Sequence, residues 1–253
     1  MFKNAIVRKP CPEMTGGVSS GSLGVPDYHK ALEQHSLYVD ALIKCGLDVK
    51  VLEADSGFPD SVFVEDVALC TGSFAIITNP GAPSRNGEQL EMKAILESYY
   101  KQVEIIHAPG TLEAGDVMMV GKHFYIGISQ RTNLEGAEQL IQILEAYGMT
   151  GSKVPLKEML HLKSGLSYLE NNRLLISGEF ITNPSFDGFR KIRVDPEESY
   201  AANSLWLNSK VLVPGGFPKT KEKIEEAGYS TISVDVSEFQ KLDGGLSCLS
   251  LRF

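Results

Sequence analysis

Asp116-Val-Met-Met-Val120 is an apolar strand pattern that ends at Gly121-Lys122 and returns through His123-Phe-Tyr-Ile126. Two short strands joined by a tight turn are typical of a β-hairpin. The same pattern recurs three more times, so the chain carries a degenerate internal repeat. The other copies are residues 66–70 with 74–77, 167–169 with 173–176, and 203–207 with 210–213.

A fifth copy is split between the two ends of the chain. Residues 247–253 resemble the first strand of a hairpin but reach the C-terminus without a returning strand. The natural partner is the N-terminal strand pattern of residues 2–7. Pairing the two termini would close the repeats into a ring, in which every inner strand is buried.

Helical and extended segments alternate with the hairpins. Apolar residues at helical spacing run from Leu134 to Tyr147 and stop at Gly148, and residues 29–45 before Gly46 follow the same pattern. Further short strands are predicted at residues 49–52, 103–106, 191–194 and 231–235. The repeated unit is therefore ββαβ, and five units predict a closed, five-bladed α/β propeller. No linker composition divides the chain, so we expect residues 1–253 to form a single domain.

Composition excludes several classes of function. The chain has 253 residues, 43% of them hydrophobic, and its 24 basic and 32 acidic side chains give a net charge of −8. A basic surface for nucleic acid or anionic membranes is not supported. The four cysteines do not form a disulfide pattern and indicate free thiols in a reducing compartment. Without a signal-peptide pattern or a long apolar run, we expect a soluble, cytoplasmic protein.

Common cofactor motifs are missing from the sequence. No two glycines stand two positions apart, which rules out the Gly-x-Gly-x-x-Gly fingerprint, and no glycine-rich loop ends in Gly-Lys-Ser/Thr. The five histidines form no zinc-binding motif, so we predict neither a cofactor nor a metal. Residues 17–21 match Gly-x-Ser-x-Gly, but the flanking prolines indicate a flexible loop rather than a nucleophile elbow.

The loops that enter the inner strands carry the candidate site residues. In a ring of such units these loops converge on one mouth, which is the default place for a binding site. The side chains of chemical interest at the strand entrances are Asp60, Glu65, Asp66, Glu113, Asp116, His161, Asp243 and Cys248. In the fourth unit, Glu197 and Glu198 lie further from the strand and are expected to be peripheral.

Four segments, taken together, resemble one enzyme family. They are Phe58-Pro-Asp-Ser-Val-Phe-Val-Glu-Asp66, Leu112-Glu-Ala-Gly-Asp116, Leu160-His-Leu-Lys-Ser-Gly165 and Asp243-Gly-Gly-Leu-Ser-Cys248. In this order they look like the signature segments of dimethylarginine dimethylaminohydrolases. The resemblance implies the pentein fold and the hydrolysis of Nω-methylated L-arginine to L-citrulline and a methylamine, without a cofactor. It also implies backbone contacts to substrate from Val18, in a mobile loop, and from Leu242.

The resemblance, together with the chemistry of a guanidinium substrate, implies the remaining roles. Cys248 is the predicted nucleophile, and His161 protonates the leaving amine and later activates water. Glu113 orients His161. Glu65 and Asp66 are predicted to bind the substrate guanidinium, and Asp60 and Asp243 to add negative charge beside it. Arg85 and Arg131 are predicted to bind the substrate α-carboxylate.

Other polar residues have ordinary structural interpretations. Asp116 is assigned to hydrogen bonds with backbone amides at a hairpin entrance. The thiols of Cys11, Cys45 and Cys70 are assigned to packing, and His29 and His35 to a helix surface.

Two other kinds of function remain open on the sequence. One is a different guanidine-modifying enzyme of the same fold, either an arginine deiminase or an amidinotransferase. The other is a non-catalytic propeller that acts as a binding protein, for which a cysteine, a histidine and several acids at one mouth would have no purpose. The partner expected is a small-molecule methylated arginine, and a homodimer is left open.

Overall fold

The predicted hairpins form the inner and middle strands of small sheets in the computed structural model, which describes residues 1–19, 21 and 23–253. The strands are β1 (Asn4–Arg8), β2 (Asp48–Leu52), β3 (Ala68–Cys70), β4 (Ala75–Ile77), β5 (Val103–Ile105), β6 (Val117–Val120), β7 (His123–Ile128), β8 (Thr150–Pro155), β9 (Leu166–Tyr168), β10 (Arg173–Ile176), β11 (Arg190–Arg193), β12 (Leu205–Leu207), β13 (Lys210–Pro214), β14 (Ser230–Val234) and β15 (Leu251–Arg252). The helices are α1 (Tyr28–Lys44), α2 (Gln89–Leu96), α3 (Leu134–Ala146), α4 (Pro218–Glu226) and α5 (Ser237–Gln240).

These strands make five three-stranded sheets within the described residues: β15-β1-β2, β3-β4-β5, β6-β7-β8, β9-β10-β11 and β12-β13-β14. In each sheet the inner strand pairs antiparallel with the middle one, which pairs parallel with the outer one. The C-terminal strand β15 joins β1, with Ala5 opposite Arg252 and Ile6 opposite Leu251. The five-bladed α/β propeller and its closure by the two termini are therefore confirmed.

Helix α1 positions the C-terminal segment from outside the ring. Asp27 caps the helix by accepting hydrogen bonds from the backbone N–H groups of His29 and Lys30. Tyr38 is fully buried on its inner face, and its hydroxyl donates to the backbone oxygen of Leu246 at 2.8 Å. This bond fixes the turn that carries Cys248.

The third unit, which begins with the hairpin of residues 167–176, departs from the predicted ββαβ pattern. Between β10 and β11 the chain forms two single-turn 3₁₀ helices, Gly178–Phe180 and Pro184–Phe186, in place of an α-helix. Gly178 has a φ of 53°, and Pro184 lacks the N–H that a continuing helix would need.

His35 is buried, and its assignment to a helix surface is wrong. Its side chain lies on the same face of α1 as Ala31, Tyr38 and Leu42, a spacing typical of a helix face turned to the core. Burial lowers the pKa of His35 to about 4, so the ring is neutral and packs as part of the core.

None of the helices in the described part of the chain has the length and apolar composition needed to cross a membrane. Cys11, Cys45, Cys70 and Cys248 are all buried free thiols. Ser20, within the Gly-x-Ser-x-Gly match, lies outside the described residues.

Candidate active site

The loops at one end of the propeller enclose a small cavity of about 40 Å³. The cavity gathers ten of the eleven predicted site residues: Val18, Asp60, Asp66, Arg85, Glu113, Arg131, His161, Leu242, Asp243 and Cys248. Phe63, Leu160 and Gly244 complete its wall. The sequence therefore identified the mouth, and the structure adds how each side chain is held.

His161 and Glu113 form a buried pair. The two residues lie just before the turns that lead into β9 and β6, and His161 Nε2 is 2.9 Å from Glu113 Oε2. Glu113 Oε1 accepts a hydrogen bond from the backbone N–H of Ala82 at 3.0 Å and lies 3.5 Å from Arg131 Nη1. Glu113 thus has partners on both oxygens, which hold it in position against His161.

The carboxylates around His161 keep its ring charged. Burial alone would lower the pKa of His161, but the charge of Asp66 and the hydrogen bond to Glu113 outweigh it and raise the pKa to about 9. In the same pair, burial opposes the charge on Glu113, yet the hydrogen bond to His161 holds its pKa at about 2. At neutral pH the pair is therefore an imidazolium and a carboxylate, a proton donor already in place.

Cys248 lies in a turn before β15, and not on the predicted strand. The turn forms because the Cys248 N–H donates to the backbone oxygen of Gly245 at 3.2 Å. Gly244 and Gly245 are required there: a Cβ would lie 2.1 Å from the ring of Phe63 at the first position and 2.5 Å from the side chain of Asn203 at the second. The close packing of Gly244 against Phe63 and of Gly245 against Asn203 places the turn so that the Cys248 thiol lines the cavity.

The thiol of Cys248 is neutral in the structure without substrate. Burial raises its pKa to about 12, and the carboxylates of Glu65 and Asp66 add to this effect. Among the described residues, no hydrogen bond joins Cys248 Sγ to His161, although both line the same cavity. The two groups therefore share one cavity without a hydrogen bond between them.

Asp66 and Asp60 provide the negative charge of the cavity. Asp66 Oδ1 accepts the backbone N–H of Gly115 at 2.9 Å, and Oδ2 accepts Arg85 Nη1 at 2.7 Å. The oxygens of Asp60 accept the backbone N–H of Val18 at 3.1 and 3.2 Å, and burial raises the pKa of Asp60. Both carboxylates retain lone pairs for a guanidinium ligand.

The two arginines are held differently. Arg85 is buried in a network with Asp66, a two-point contact to Glu88 and the backbone oxygen of Phe63. Arg131 makes the single 3.5 Å ion pair with Glu113 and is less buried. Arg131 therefore has more free N–H donors for a substrate. Most N–H donors of Arg85 are hydrogen-bonded to other residues of the cavity wall.

Glu65 is the predicted site residue that does not line this mouth. Its Oε1 lies 2.7 Å from Lys163 Nζ and 2.8 Å from Arg252 Nη2, and its Oε2 accepts the hydroxyl of Ser247 at 2.8 Å. Burial opposes the charge on Glu65, but Lys163 and Arg252 lower its pKa. The prediction that Glu65 binds the guanidinium does not fit this geometry. We assign Glu65 to the wall behind Cys248.

Three further acids serve the structure. Asp116 accepts the backbone N–H of Leu162 and the hydroxyl of Ser129, in keeping with its predicted role. Glu197 pairs with Lys219 at the surface, whereas Glu198 is buried and accepts the N–H groups at the start of α4.

Sequence reasoning missed Glu88, Lys163, Asn203 and Ser247. Asn203 holds Ser247 through two hydrogen bonds and donates to the backbone oxygen of Lys163. The one available signal was the three-residue spacing of Arg85 and Glu88, which suits an ion pair.

The donor set does not suit a metal ion. One atom each from Asp66, Glu113 and His161 lie within 4.8 Å of one another. However, Asp66 already pairs with the guanidinium of Arg85. The protonated ring of His161 donates a hydrogen bond to Glu113 through Nε2, so this nitrogen has no lone pair for a metal. A cation placed there would be repelled by two positive groups.

Comparison with known proteins identifies the family. A sequence model described as N,N dimethylarginine dimethylhydrolase, eukaryotic, matches residues 27–183. The chain is 55% identical to the N(G),N(G)-dimethylarginine dimethylaminohydrolase of Pseudomonas aeruginosa over 100% of both chains. The chain belongs to the dimethylarginine dimethylaminohydrolase family. The family member of Streptomyces coelicolor is 36% identical, over 99% of this chain and 96% of that one.

Solved structures of dimethylarginine dimethylaminohydrolases share the fold throughout. The Pseudomonas aeruginosa enzyme, as a cysteine-to-serine mutant complexed with citrulline, matches with a TM-score of 0.99 at 55% identity over 100% of both chains. A second dimethylarginine dimethylaminohydrolase structure, a histidine-to-glycine variant as an adduct with S-methyl-L-thiocitrulline, gives the same TM-score, identity and coverage. The N-terminal domain of ArgZ matches with a TM-score of 0.84 at 21% identity, over 100% of this chain and 97% of that one, which shows a shared fold.

Proposed function

We propose that the protein hydrolyses Nω-methylated L-arginine to L-citrulline and a methylamine, with Cys248, His161 and Glu113 as catalytic residues. The observation that carries the proposal is their arrangement: a buried thiol and a charged His161–Glu113 pair line one cavity together with Asp60 and Asp66. Family membership supports the substrate class.

The guanidinium carbon is a poor electrophile, so the nucleophile has to be a thiolate. Burial and the nearby carboxylates keep the Cys248 thiol protonated, and a cationic guanidinium beside it lowers its pKa by stabilising the thiolate. The thiol releases its proton to solvent, and the thiolate attacks the central carbon. A C–S bond forms in a tetrahedral adduct as one C–N π bond of the guanidinium opens onto its nitrogen. Asp66, with Asp60 nearby, orients the guanidinium through charge-assisted hydrogen bonds.

His161 supplies the proton for the first half of the reaction. The imidazolium donates it to the dimethylamino nitrogen, the C–N bond breaks, and dimethylamine leaves an S-alkylthiouronium on Cys248. The neutral ring then takes a proton from water as the water attacks the same carbon. The C–S bond breaks, citrulline leaves, and Cys248 returns to its starting form. Glu113 stabilises the charged ring at each stage.

Arg131 is proposed to bind the α-carboxylate, with Arg85 holding Asp66 and giving secondary support. The small volume implies that the wall moves when substrate binds. A cavity of about 150 Å³ is needed for benzene alone, and this one is about 40 Å³. The contact between Val18 and Asp60 closes the mouth, so we expect it to open for substrate entry.

Asp243 and Leu242 remain proposed contacts on the opposite wall. The four free thiols favour a reducing compartment, and we propose a cytoplasmic location on that basis.

The experiment incubates the protein separately with asymmetric dimethylarginine, monomethylarginine and arginine and assays citrulline. We expect citrulline from both methylated substrates, with an equal amount of the matching amine. Citrulline and ammonia from arginine alone would instead identify a deiminase, and no citrulline from any substrate would contradict the proposal.

A further inference from the structure

A second cavity, of about 160 Å³, lies on the propeller axis and is separate from the candidate active site. All five inner strands line it, through residues such as Cys70, Met118, Tyr168, Leu205 and Leu251. Its wall is mostly apolar. Its inner end is formed by Glu65, Lys163, Ser247 and Arg252, the cluster that stands behind Cys248.

The inner end carries more positive than negative charge. Lys163 and Arg252 face one carboxylate, Glu65, which accepts from both of them through the same oxygen. Lys163 Nζ donates this one hydrogen bond among the described residues, although an ammonium has three donors. Glu170 also lines the cavity, but it is exposed, where solvent and salt screen its charge.

We propose that this axial cavity is a second binding site, for a small carboxylate with an apolar tail about the size of one ring. The carboxylate would accept hydrogen bonds from Lys163 and balance the excess positive charge. The tail would lie against the apolar walls of the inner strands. A cavity of about 150 Å³ holds benzene, so a volume of about 160 Å³ has room for a single ring.

The probe for the test is 4-fluorobenzoate, whose binding is followed by fluorine NMR. We expect a Kd on the order of 1 mM, as suits a ligand of about ten heavy atoms. Because its neutral hydroxyl accepts a weaker hydrogen bond from Lys163 than a carboxylate does, 4-fluorobenzyl alcohol should bind at least about tenfold more weakly. Equal binding of the acid and the alcohol, or no binding of the acid, would overturn the proposal.

Two variants distinguish this cavity from the active site. Lys163→Met should weaken the binding of 4-fluorobenzoate at least about tenfold, whereas Arg131→Ala, at the other cavity, should leave it unchanged. The reverse pattern would place the probe at the active site and refute the second site. If Lys163→Met does not fold, Ala68→Leu provides the test. It leaves all charges in place, and its larger side chain reduces the volume of the axial cavity. Undiminished binding to Ala68→Leu would also count against the site.

Cys70 gives an independent readout of where the probe lies. It lines the axial cavity, whereas Cys45 lies outside it. Saturating 4-fluorobenzoate should slow the labelling of Cys70 by methyl methanethiosulfonate and leave that of Cys45 unchanged, since a thiol reacts according to its access and only Cys70 lines the occupied cavity. Unchanged labelling of Cys70 under saturation would exclude the axial cavity as the place of binding.

Discussion

His161 Nε2 lies 2.9 Å from Glu113 Oε2, and both side chains are buried beside Asp66. The charge of Asp66 and this contact with Glu113 together explain why a buried imidazole is charged at neutral pH. In a dry environment an isolated imidazole would lose its proton, but two carboxylates stabilise the imidazolium. In the proposed mechanism, His161 therefore already carries the proton that the leaving dimethylamine needs.

Glu113→Gln should lower the pKa of His161 from about 9, because burial would then act with less opposition while the charge of Asp66 remains. NMR titration of the His161 ring measures this directly. The variant should also lose at least about 100-fold in kcat, as for other acid–base groups. An unchanged His161 pKa in Glu113→Gln would show that the contact with Glu113 does not determine the protonation of His161.

The same shift predicts a pH-dependent stability. A pKa raised in the folded state stabilises it fully below the unfolded value of about 6.5 and loses that contribution as pH rises through about 9. The shift corresponds to about 3 kcal/mol. Denaturant unfolding at several pH values should show wild-type stability falling across this window. His161→Gln should lack that part of the decline, and parallel profiles for both proteins would contradict the assignment.

Substitution of the two arginines should have different effects, one on KM and the other on stability. Arg131→Ala should raise KM for dimethylarginine by about 10- to 100-fold with a smaller effect on kcat, since it removes a charge-assisted hydrogen bond to the carboxylate. Arg85→Ala leaves Asp66 and Glu88 without their buried partner and should cost about 3–5 kcal/mol of stability. Steady-state kinetics and unfolding measurements separate the two effects. Equal KM effects without loss of stability would mean that both arginines bind substrate.

Gly115 tests the packing around the pair. A Cβ at this position would lie 2.7 Å from Asp66 Oδ1 and 2.9 Å from His161 Nδ1. Gly115→Ala should therefore displace both groups and reduce kcat by about 100-fold, as small misplacements of catalytic groups do. Gly72→Ala is the matched control, because nothing lies within 4 Å of its Cβ. Comparable activity of the two variants would show that the site tolerates the shift.

Local patterns in the sequence predicted the ring, because each hairpin carries its own apolar strands and turn. Residues 117–120 pair with residues 123–126, as the two apolar strands around a tight turn predict. The site was found in the same way, since residues before inner strands must meet at one mouth. His35 was missed because a helix face is defined by spacing, and one polar residue at a core position breaks the apolar pattern.

Long-range ion pairs could not be predicted. Glu65 and Asp66 are adjacent in sequence, yet Glu65 faces Lys163 and Arg252 whereas Asp66 faces Arg85 and Gly115. Successive residues in a turn point in different directions, and their partners lie up to 187 positions away. The turn at Cys248 likewise depends on the contacts of Gly244 and Gly245 with Phe63 and Asn203, which no local pattern shows.

Covalent capture of substrate tests the central claim most directly. The protein is mixed with asymmetric dimethylarginine, quenched with acid within a turnover and mapped by mass spectrometry, alongside Cys248→Ser and the control Cys45→Ser. Our account predicts a thiouronium adduct on Cys248 alone in wild type and in Cys45→Ser. It also predicts that Cys248→Ser folds but loses citrulline formation by orders of magnitude. An adduct on another cysteine, or substantial citrulline from Cys248→Ser, would contradict it.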